Sequence, residues 1–379
     1  MHVEILGGGP AGLTLAILLK RQDPRHRVRV IERGPRDATW GFGVVFSDRA
    51  LEFLRVDAAM LYELLTPRMQ SWRDLTIVHS DRRIPISGNG FASIGRLELL
   101  NLLHGQAEAA GVVLEFDRTV ADIAELGPAD LLVAADGAFS ASRDARATQF
   151  GTRIDWRSNR FIWYGTSRPF DTLTLTFRTD QKGVYCAHHY RYAPDMSTFL
   201  VEVDEATYQR AGFDAMSEEQ SLRACERVFA PDLEGHALQS NRSAWRRFPA
   251  IWNERWNVDN IVLLGDALRT AHFSIGSGTR LAMEDAIALA HALAGSTTAP
   301  DGLQRFQAQR LPPMKKIWDA ANVSLRWYEG MASMMALDPY EFAYRYMTRS
   351  GRVDHAEVKR RDPQLAAAYE RLHPESKRP

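Results

Sequence analysis

A glycine-rich turn near the start of the chain carries the clearest chemical signal in the sequence. It reads Gly7-Gly8-Gly9-Pro10-Ala11-Gly12 after an apolar strand pattern at 3–6, and Glu32 ends the next such pattern. Glycines in this position let backbone amides at a helix N-terminus approach a pyrophosphate, and the carboxylate can accept hydrogen bonds from ribose hydroxyls. The spacing predicts a dinucleotide site, and this motif alone leaves FAD and NAD open.

Two later segments place a carboxylate in a comparable position. Asp136 and Asp266 each stand beside a glycine at the end of an apolar run, 131–135 and 262–264 respectively. The carboxyl ends of parallel strands meet at one edge of a sheet, where folds of this kind bind ligands. We therefore expect both carboxylates to lie close to the dinucleotide. The loop 272–278 follows the second of them and leads into a predicted helix.

The hydrophobic periodicity changes along the chain and indicates its domains. The first third and the segment 255–298 alternate strand and helix, whereas 160–204 has the period of two and the aromatic content of a sheet. The chain therefore leaves its first domain and returns to it. We predict an α/β fold, in which a Rossmann-like domain is interleaved with a β-sheet domain for substrate and is followed by a helical C-terminus. The predicted boundaries are 1–70, 91–150 and 255–298 for the first domain, 71–90 and 151–254 for the second, and 299–379 for the C-terminal helices and tail.

Local signals refine this outline. Apolar runs on both sides of a polar turn predict a hairpin over 75–86. The sequence Ser217-Glu218-Glu219-Gln220 is a capping box and predicts the start of a helix. Pro312-Pro313 is predicted to mark the entry to a C-terminal helix, and the charged tail beyond Arg360 is predicted to be frayed.

Composition excludes several classes of protein. The 379 residues carry 47 Lys and Arg against 47 Asp and Glu, so the formal net charge is zero and no long-range field attracts a polyanion. Cys186 and Cys225 are too few and too far apart for a disulfide framework or a zinc site, and no metal-ligand cluster is apparent. The chain enters a strand pattern by Val3, and no apolar run approaches the ~20 residues that span a bilayer. We expect a cytoplasmic monomer or homodimer that binds neither nucleic acid nor membrane.

Three side chains in the sheet domain and the following loop are candidates for catalysis. Period-two alternation along 183–192 places His188 and Tyr190 on one face, where both can hydrogen-bond an aromatic substrate. The alternative for His188 is a core histidine with satisfied hydrogen bonds. His272 lies in the loop before a helix, where it either positions substrate or is a loop residue bonded to backbone.

Taken in order, the three glycine-containing segments resemble the single-component FAD-dependent aromatic hydroxylases, which share the fold of p-hydroxybenzoate hydroxylase. The resemblance implies that the glycine turn, with Gly7 and Pro10, holds the ADP half of FAD. Arg96 matches the arginine that these enzymes set beside FAD, and its alternative is a first-turn salt bridge. The residues implied to contact the ADP, ribityl or phosphate groups are Gly9, Ala11, Gly12, Glu32, Arg33, Asp136 and Asp266, and those implied to contact the isoalloxazine are Gly276, Gly278 and Thr279.

The resemblance narrows to one subgroup of this family. The segments 41–47, 161–166, 187–192, 197–202 and 272–278 resemble the salicylyl-CoA 5-hydroxylases, the hydroxylase half of 2-aminobenzoyl-CoA monooxygenase/reductase, and the violacein-pathway hydroxylase of a tryptophan derivative.

Some residues depart from the wider family or divide between branches of the subgroup. Leu268-Arg269 and Ser274 stand where many family members have Ala-His and proline. The segment 163–167 favours the violacein branch, whereas Ser277-Gly278-Thr279 and the segment 284–290 favour the aryl-CoA branch. The substrate therefore stays open between these branches.

The family chemistry implies the reaction and the partners. NAD(P)H, bound transiently as NADH or NADPH, reduces FAD, and O2 then forms a C4a-hydroperoxide that attacks a ring carbon activated by a hydroxyl or amino group. For salicylyl-CoA this chemistry predicts 5-hydroxylation, and the alternative substrate is an indole derived from tryptophan. Arg168, Arg191, Arg246 and Arg247 are candidate cations for CoA phosphates, unless they are solvated surface charges. The candidate walls of the substrate pocket, which as aromatic residues could equally be core, are Phe42, Trp163, Trp245 and Phe273.

Other classes remain as alternatives. A flavin-binding sensor or scaffold without turnover would carry the same dinucleotide motif. A flavin halogenase is disfavoured because the sequence contains no Trp-x-Trp-x-Ile-Pro segment. An NAD-dependent dehydrogenase is disfavoured, because the segment around Asp266, where the chain returns to its first domain, would then have no role.

Overall fold

The structure, a computed structural model, describes residues 1–276 and 278–374, with the side chains of residues 49 and 50 left out. Ser277 of the predicted flavin loop and the last five residues of the predicted tail therefore lie outside the described residues.

The strands in the described residues fall into three sheets. In chain order they are β1 (His2–Leu6), β2 (Arg27–Ile31), β3 (Gly43–Ser47), β4 (Gln70–Trp72), β5 (Leu75–His79), β6 (Arg82–Ile86), β7 (Phe91–Gly95), β8 (Val113–Glu115), β9 (Leu131–Ala134), β10 (Arg153–Thr166), β11 (Leu173–Thr179), β12 (Val184–Ala193), β13 (Met196–Val203), β14 (Leu238–Gln239), β15 (Arg246–Trp252), β16 (Asn257–Val258) and β17 (Ile261–Leu263).

The α-helices connect and cover these sheets, with short 3-10 turns between some of them. In chain order they are α1 (Pro10–Gln22), α2 (Asp48–Asp57), α3 (Ala59–Leu65), α4 (Arg96–Ala109), α5 (Ala141–Asp144), α6 (Ala147–Phe150), α7 (Glu205–Ala211), α8 (Glu218–Val228), α9 (Ala230–Leu233), α10 (Gly278–Ala294), α11 (Ala299–Glu329), α12 (Pro339–Thr348), α13 (His355–Arg361) and α14 (Pro363–Leu372).

A six-stranded sheet with the order β16-β17-β9-β1-β2-β8 forms the dinucleotide-type layer. All of its pairs are parallel except β16 with β17. The central strand β1 is buried, and helix α1 packs against both α4 and α10. Because β1, β9 and β17 are parallel neighbours, the loops that follow them meet at one edge. The turn at 7–9, Asp136 and Asp266 follow these three strands, so the α/β prediction for this layer is confirmed.

The second sheet has the order β14-β10-β13-β12-β11-β5-β6, with β15 paired to β10. Its long strands β10 to β13 correspond to the segments predicted from the period of two, and the hairpin β5–β6 is present as predicted. A third, three-stranded sheet with the order β3-β7-β4 lies beside it, since both β3 and β7 contact β12.

The large sheet is covered on one face and partly covered on the other. One face packs against α8 and its neighbours through Tyr164, Phe199 and Val201. Part of the other face is covered by the C-terminal helices through residues such as Tyr328 and Phe342. The uncovered part of this second face, around His188, forms a wall of the cavity described below.

Three local predictions have clear outcomes. The capping box at Ser217 is present, with hydrogen bonds in both directions between Ser217 and Gln220. The prediction that Pro312-Pro313 starts a helix is wrong, because both prolines lie inside α11. Helix α11 packs against α10 and continues through the two prolines, although neither can donate a backbone hydrogen bond. The prediction of a frayed tail beyond Arg360 is wrong for 363–372, which form α14 and bury Leu365 and Ala366.

Among the residues that the structure describes, no helix combines the length and apolar character needed to cross a membrane.

Candidate active site

A cavity of about 810 Å³ lies between the carboxyl edge of the six-stranded sheet and one face of the large sheet. Its first wall consists of glycine-rich loops and helix starts, and its second wall consists of aromatic, aliphatic and imidazole side chains. A volume of this size is typical of sites that bind cofactors or drug-sized ligands.

The glycine turn brings backbone amides to the first wall. Gly9 is the N-cap of α1 and makes no side-chain capping hydrogen bond, so the first free amides of the helix remain available to an anion. Gly9, Pro10 and Ala11 line the cavity. A Cβ on Gly12 would lie 2.2 Å from the carbonyl oxygen of Gly7, so only glycine permits this close approach of helix and strand.

Glu32 holds the glycine turn in place. Its Oε2 accepts a hydrogen bond from the backbone N–H of Gly8 at 2.8 Å, and its Oε1 accepts one from Gly34 at 2.9 Å. Each carboxylate oxygen retains a lone pair, so the carboxylate can still accept from a ribose hydroxyl. The neighbouring Arg33 is exposed and lies outside the cavity wall.

The two Asp-Gly segments differ in what their carboxylates do. The carboxylate of Asp136 accepts hydrogen bonds from the hydroxyls of Ser140 and Ser142, so it organises the turn before α5 and does not line the cavity. Its neighbours Gly137 and Ala138 do line it. The Asp136 side chain thus bonds local serines and lies outside the cavity wall, and its expected contact with the cofactor stays a prediction.

Asp266 and Arg96 are brought together at the cavity. Asp266 belongs to the cavity wall and its side chain is accessible there. Arg96 starts α4, lines the same cavity, and donates from Nε to the hydroxyl of Thr39 at 3.0 Å. The alternative for Arg96, an ordinary first-turn salt bridge, is not formed among the described residues. Gly276, Gly278 and Thr279 complete this wall.

The second wall is one face of the large sheet. A row of register partners crosses it in the order Leu175, His188, Leu200 and Trp163. Phe161 and Phe273 lie beside this row with ring centroids 5.0 Å apart.

Two residues that we expected in this wall lie elsewhere, and both predictions are corrected. Trp245 packs against Tyr208 and Phe213 on the opposite face of the sheet, and the Phe42 ring packs against Gly165 outside the cavity wall.

Tyr190 is committed to the framework of the site. It is buried at the cavity wall, and its hydroxyl donates to the carbonyl oxygen of Gly43 at 2.9 Å. Burial raises the pKa of Tyr190 well above its ordinary value. Its donor is therefore committed to strand β3, and the expectation that this hydroxyl bonds substrate stays a prediction for its acceptor lone pairs.

His188 faces the cavity, whereas His272 lies behind the wall. The His188 ring stacks on Tyr328 with centroids 5.1 Å apart and meets Phe273 edge-on. His272 packs against Phe248 and Phe273, and its Nδ1 accepts a hydrogen bond from the backbone N–H of Ser274. Complete burial lowers the pKa of His272 to about 4, so this ring is neutral at neutral pH.

A buried carboxylate that we did not single out from the sequence links the two histidines. Glu202 is 1% exposed, and its Oε2 lies 3.5 Å from Nε2 of His188 while its Oε1 lies 3.9 Å from Nε2 of His272. The signal was available in the sequence, because Thr198, Leu200 and Glu202 alternate onto one face of a strand. A carboxylate on such a face requires a partner.

The departure at Arg269 from the wider family has a structural counterpart. Its guanidinium is buried, forms an ion pair with Asp285, and stacks on the Trp256 ring at 5.4 Å. Arg310 also binds Asp285, from Nε at 2.8 Å, and pairs with Glu284. The network fastens α10 and α11 to the segment after Asp266, directly behind the cavity.

These features fit FAD. The uncapped start of α1 suits a pyrophosphate, Glu32 suits a ribose, and the accessible Asp266 beside Arg96 suits the polar chain between phosphate and ring. Gly276 and Gly278 at the wall leave room for a flat ring system.

Comparison with known proteins agrees with this assignment. The model of the FAD binding domain matches residues 124–321, and the model of the NAD(P)-binding Rossmann-like domain matches residues 5–75. The chain belongs to the FAD-dependent aromatic hydroxylases, monooxygenases that use NAD(P)H as reductant.

Individual relatives place the chain within this family. It is 40% identical to the salicyloyl-CoA 5-hydroxylase of a Streptomyces species over 92% of this chain and 70% of that protein. It is 34% identical to the protodeoxyviolaceinate monooxygenase of Chromobacterium violaceum over 92% of this chain and 94% of that protein. It is 36% identical to the 3-hydroxy-4-methyl-anthranilyl-[aryl-carrier protein] 5-monooxygenase of Streptosporangium sibiricum over 86% of this chain and 89% of that protein.

Solved structures show the same fold. The tetrameric form of 2-methyl-3-hydroxypyridine-5-carboxylic acid oxygenase superposes with a TM-score of 0.72 at 18% identity, over 95% of this chain and 97% of that chain.

Proposed function

We propose that this monooxygenase hydroxylates the ring of an aromatic acid carried as a coenzyme A thioester, with 5-hydroxylation of salicylyl-CoA as the specific reaction. The observation that carries the proposal is a single cavity in which a flavin-type wall faces an aromatic wall containing His188. The Streptomyces relative, whose name states salicyloyl-CoA as substrate, supports the thioester. The Streptosporangium relative acts on an aryl group attached to a carrier protein, so two of the three relatives described above act on carried aryl groups.

The chain's own residues would hold the cofactor and the ring. Gly9, Ala11 and Glu32 would bind the ADP half, and Asp266 with Arg96 would bind the middle of the molecule. When bound, FAD supplies electron transfer from NAD(P)H and activation of O2. Trp163 and Phe273 would flank the substrate ring, and the surrounding apolar side chains would exclude water from it.

His188 would hold the proton of the substrate hydroxyl. Its ring is at the cavity wall, between Leu175 and Leu200 across the sheet. Withdrawal of that proton makes the phenolic ring more electron-rich at the para carbon. In salicylyl-CoA the carbon para to the hydroxyl is C5, so a base at the hydroxyl favours the 5-position.

Two arginines at the cavity would meet the CoA phosphates. Arg246 and Arg247 line the cavity and are exposed, and neither forms an ion pair within the described residues. Arg247 donates to the carbonyl oxygens of Trp156 and Arg157, which fixes its position. Arg168, also considered from the sequence, pairs with Glu234 and lies outside the cavity wall. We assign it no such role.

The domain boundaries belong to the same proposal. We assign FAD binding to the six-stranded sheet and its helices, and substrate binding to the large sheet. The C-terminal helices close the substrate side, because Tyr328 contacts His188. We propose a monomer or homodimer in the cytoplasm.

An indole derived from tryptophan is the second candidate substrate. This chain covers 94% of the length of the Chromobacterium violaceum relative, which supports this second candidate. An indole without CoA would not require Arg246 or Arg247.

A substrate screen tests the proposal. Purified flavoprotein is supplied with NADH or NADPH and with salicylyl-CoA, free salicylate or indolic acids, and NAD(P)H consumption is compared with product mass. We expect stimulated oxidation and the gain of one oxygen with salicylyl-CoA. A gain of oxygen on an indole alone would replace the thioester by the second candidate, and flavin binding without stimulated oxidation by any substrate would indicate a non-catalytic flavoprotein.

A further inference from the structure

The contact between His188 and Glu202 is unusual because both facing atoms lack another partner. Nε2 of His188 and Oε2 of Glu202 are buried, and neither has a hydrogen bond within the described residues. The two atoms are 3.5 Å apart. Buried polar atoms are almost always hydrogen-bonded, since an unpaired one costs about 1–3 kcal/mol. A small approach of these two side chains would satisfy both atoms at once.

Sheet register places the pair, and Asn159 holds the carboxylate. Glu202 is the register partner of Cys186 on β12 and of Phe161 on β10, so it is a diagonal neighbour of His188. Its Oε1 accepts a hydrogen bond from Nδ2 of Asn159 at 2.8 Å. The second oxygen is therefore directed to the histidine. This arrangement is a cavity-facing imidazole backed by an anchored carboxylate.

The charged and titratable groups around the pair come from several elements. His272 faces Glu202 from the loop before α10, and Tyr328 and Glu329 approach from the end of α11. Glu329 is paired with Arg157, and Arg349 lies over the Tyr328 ring at the end of α12. Cys186 lies beside Glu202 on β12. Of the two histidines that face Glu202, His188 is the nearer and the one that lines the cavity.

We propose that Glu202 is the positioning residue of the reaction, which holds His188 as the Nε2–H tautomer and so presents Nδ1 to the substrate hydroxyl as proton acceptor. The proposal rests on the proposed function for its substrate. In the step itself the substrate O–H bond breaks, its electron pair stays on oxygen, and an N–H bond forms at Nδ1. The resulting imidazolium donates from Nε2 to the Glu202 carboxylate. No other reactant is consumed, and the hydrogen bond to an ionised carboxylate favours the charged ring.

The tautomer of His188 tests this assignment without turnover. Histidine-labelled protein is examined by nuclear magnetic resonance, and the His188 signal is identified by its absence in His188→Asn. In wild-type protein we expect the Nε2–H tautomer. Glu202→Gln should weaken this preference, because a neutral amide replaces the carboxylate that faces Nε2. The Nδ1–H tautomer in wild-type protein, or an unchanged tautomer ratio in Glu202→Gln, would overturn the proposal.

A neighbouring histidine supplies the matched control. His189 points to the other face of the sheet, where its Nε2 bonds the Thr176 hydroxyl at 2.9 Å and its ring stacks on Phe199. His189→Gln should leave the tautomer of His188 unchanged. If Glu202→Gln does not fold, the His188 tautomer in wild-type protein and in Glu202→Asp still decides whether Glu202 positions His188. If wild-type protein hydroxylates no aryl thioester, the proposed function fails while the His188 measurement stands on its own.

The activity readout separates positioning from a general loss of structure. With a phenolic substrate, Glu202→Gln should lower kcat at least tenfold, shift the pH profile of kcat, and leave the FAD content and the thioester KM within about twofold. Equal losses in FAD content and kcat would contradict a positioning role.

Discussion

The hydroxyl of Tyr190 and the carbonyl oxygen of Gly43 are joined by a hydrogen bond of 2.9 Å that ties the large sheet to strand β3. The N–H of Gly43 donates in turn to the hydroxyl of Thr198, which is the register partner of Tyr190. One cross-strand pair therefore binds both backbone polar groups of Gly43. Strand β3 pairs with β7, which ends directly before Arg96. The contact therefore fixes the substrate wall of the cavity relative to the start of α4.

Removal of the Tyr190 hydroxyl should affect stability more than chemistry. Tyr190→Phe leaves the buried Gly43 carbonyl with one partner fewer, so we expect the free energy of unfolding to fall by about 1–2 kcal/mol. The rate of ring hydroxylation should fall by less than about tenfold, whereas His188→Asn should reduce it further. Urea unfolding and single-turnover product formation measure the two effects. A larger rate loss for Tyr190→Phe than for His188→Asn would return the catalytic role to the tyrosine.

Gly12 should be essential for flavin binding. A Cβ at this position would lie 2.2 Å from the Gly7 carbonyl oxygen, so Gly12→Ala must displace the helix start that presents amides to the pyrophosphate. We expect purified Gly12→Ala to have lost most of its flavin absorbance. The control is Gly105→Ala, because Gly105 is an exposed helical glycine with nothing within 4 Å of its added Cβ. That variant should keep its flavin and gain up to about 1 kcal/mol of stability.

The buried network around Asp285 should be expensive to break. Asp285→Asn leaves the buried guanidinium of Arg269 without its ionic partner, and loss of one member of such a pair costs about 3–5 kcal/mol. The exposed pair of Lys315 and Asp319 provides the comparison, since Asp319→Asn should change the free energy of unfolding by less than about 1 kcal/mol. Urea unfolding measures both variants. Equal losses in the free energy of unfolding for Asp285→Asn and Asp319→Asn would contradict this account.

Acid should destabilise the protein through His272. Its pKa is about 4 in the folded protein and 6.5 in its ordinary state, so between these values the unfolded chain binds more protons. The free energy of unfolding should therefore decline as pH falls from 6.5 to 4, with a contribution from His272 on the order of 3 kcal/mol. Other buried histidines, such as His189, act in the same direction. Comparison of wild type with His272→Asn isolates this residue, and the variant should show a shallower pH dependence.

The exposed arginines at the cavity should distinguish a thioester from a free acid. Joint replacement of Arg246 and Arg247 by alanine should raise the KM for salicylyl-CoA about tenfold and leave that for free aromatic acids unchanged, since only the thioester carries phosphates. Arg227→Ala, on the exposed side of α8, serves as control. An equal change in KM for the thioester and the free acid would show that Arg246 and Arg247 do not bind the CoA phosphates.

The sequence predicts the fold of the α/β half and the position of its glycine turn well, and the side chains of the large sheet less well. The turn at 7–12 and Glu32 act through neighbours in one βαβ unit, so local spacing was enough to place them. Trp245 and Glu202 depend on which face of a strand turns inward and on cross-strand register. These are long-range properties. For that reason Trp245 was predicted on the wrong face of the sheet, and Glu202 was not singled out. Asp136 shows another limit, because a motif does not reveal that nearby serines already bind its carboxylate.

The position and origin of the oxygen in the product test the central claim most directly. Purified flavoprotein would be incubated with salicylyl-CoA, NAD(P)H and isotopically labelled O2, and the product analysed by mass spectrometry and nuclear magnetic resonance. The account predicts one labelled oxygen at C5 of the ring for each NAD(P)H consumed in coupled turnover. An unmodified thioester, or a labelled oxygen found only on an indolic substrate under the same conditions, would contradict it.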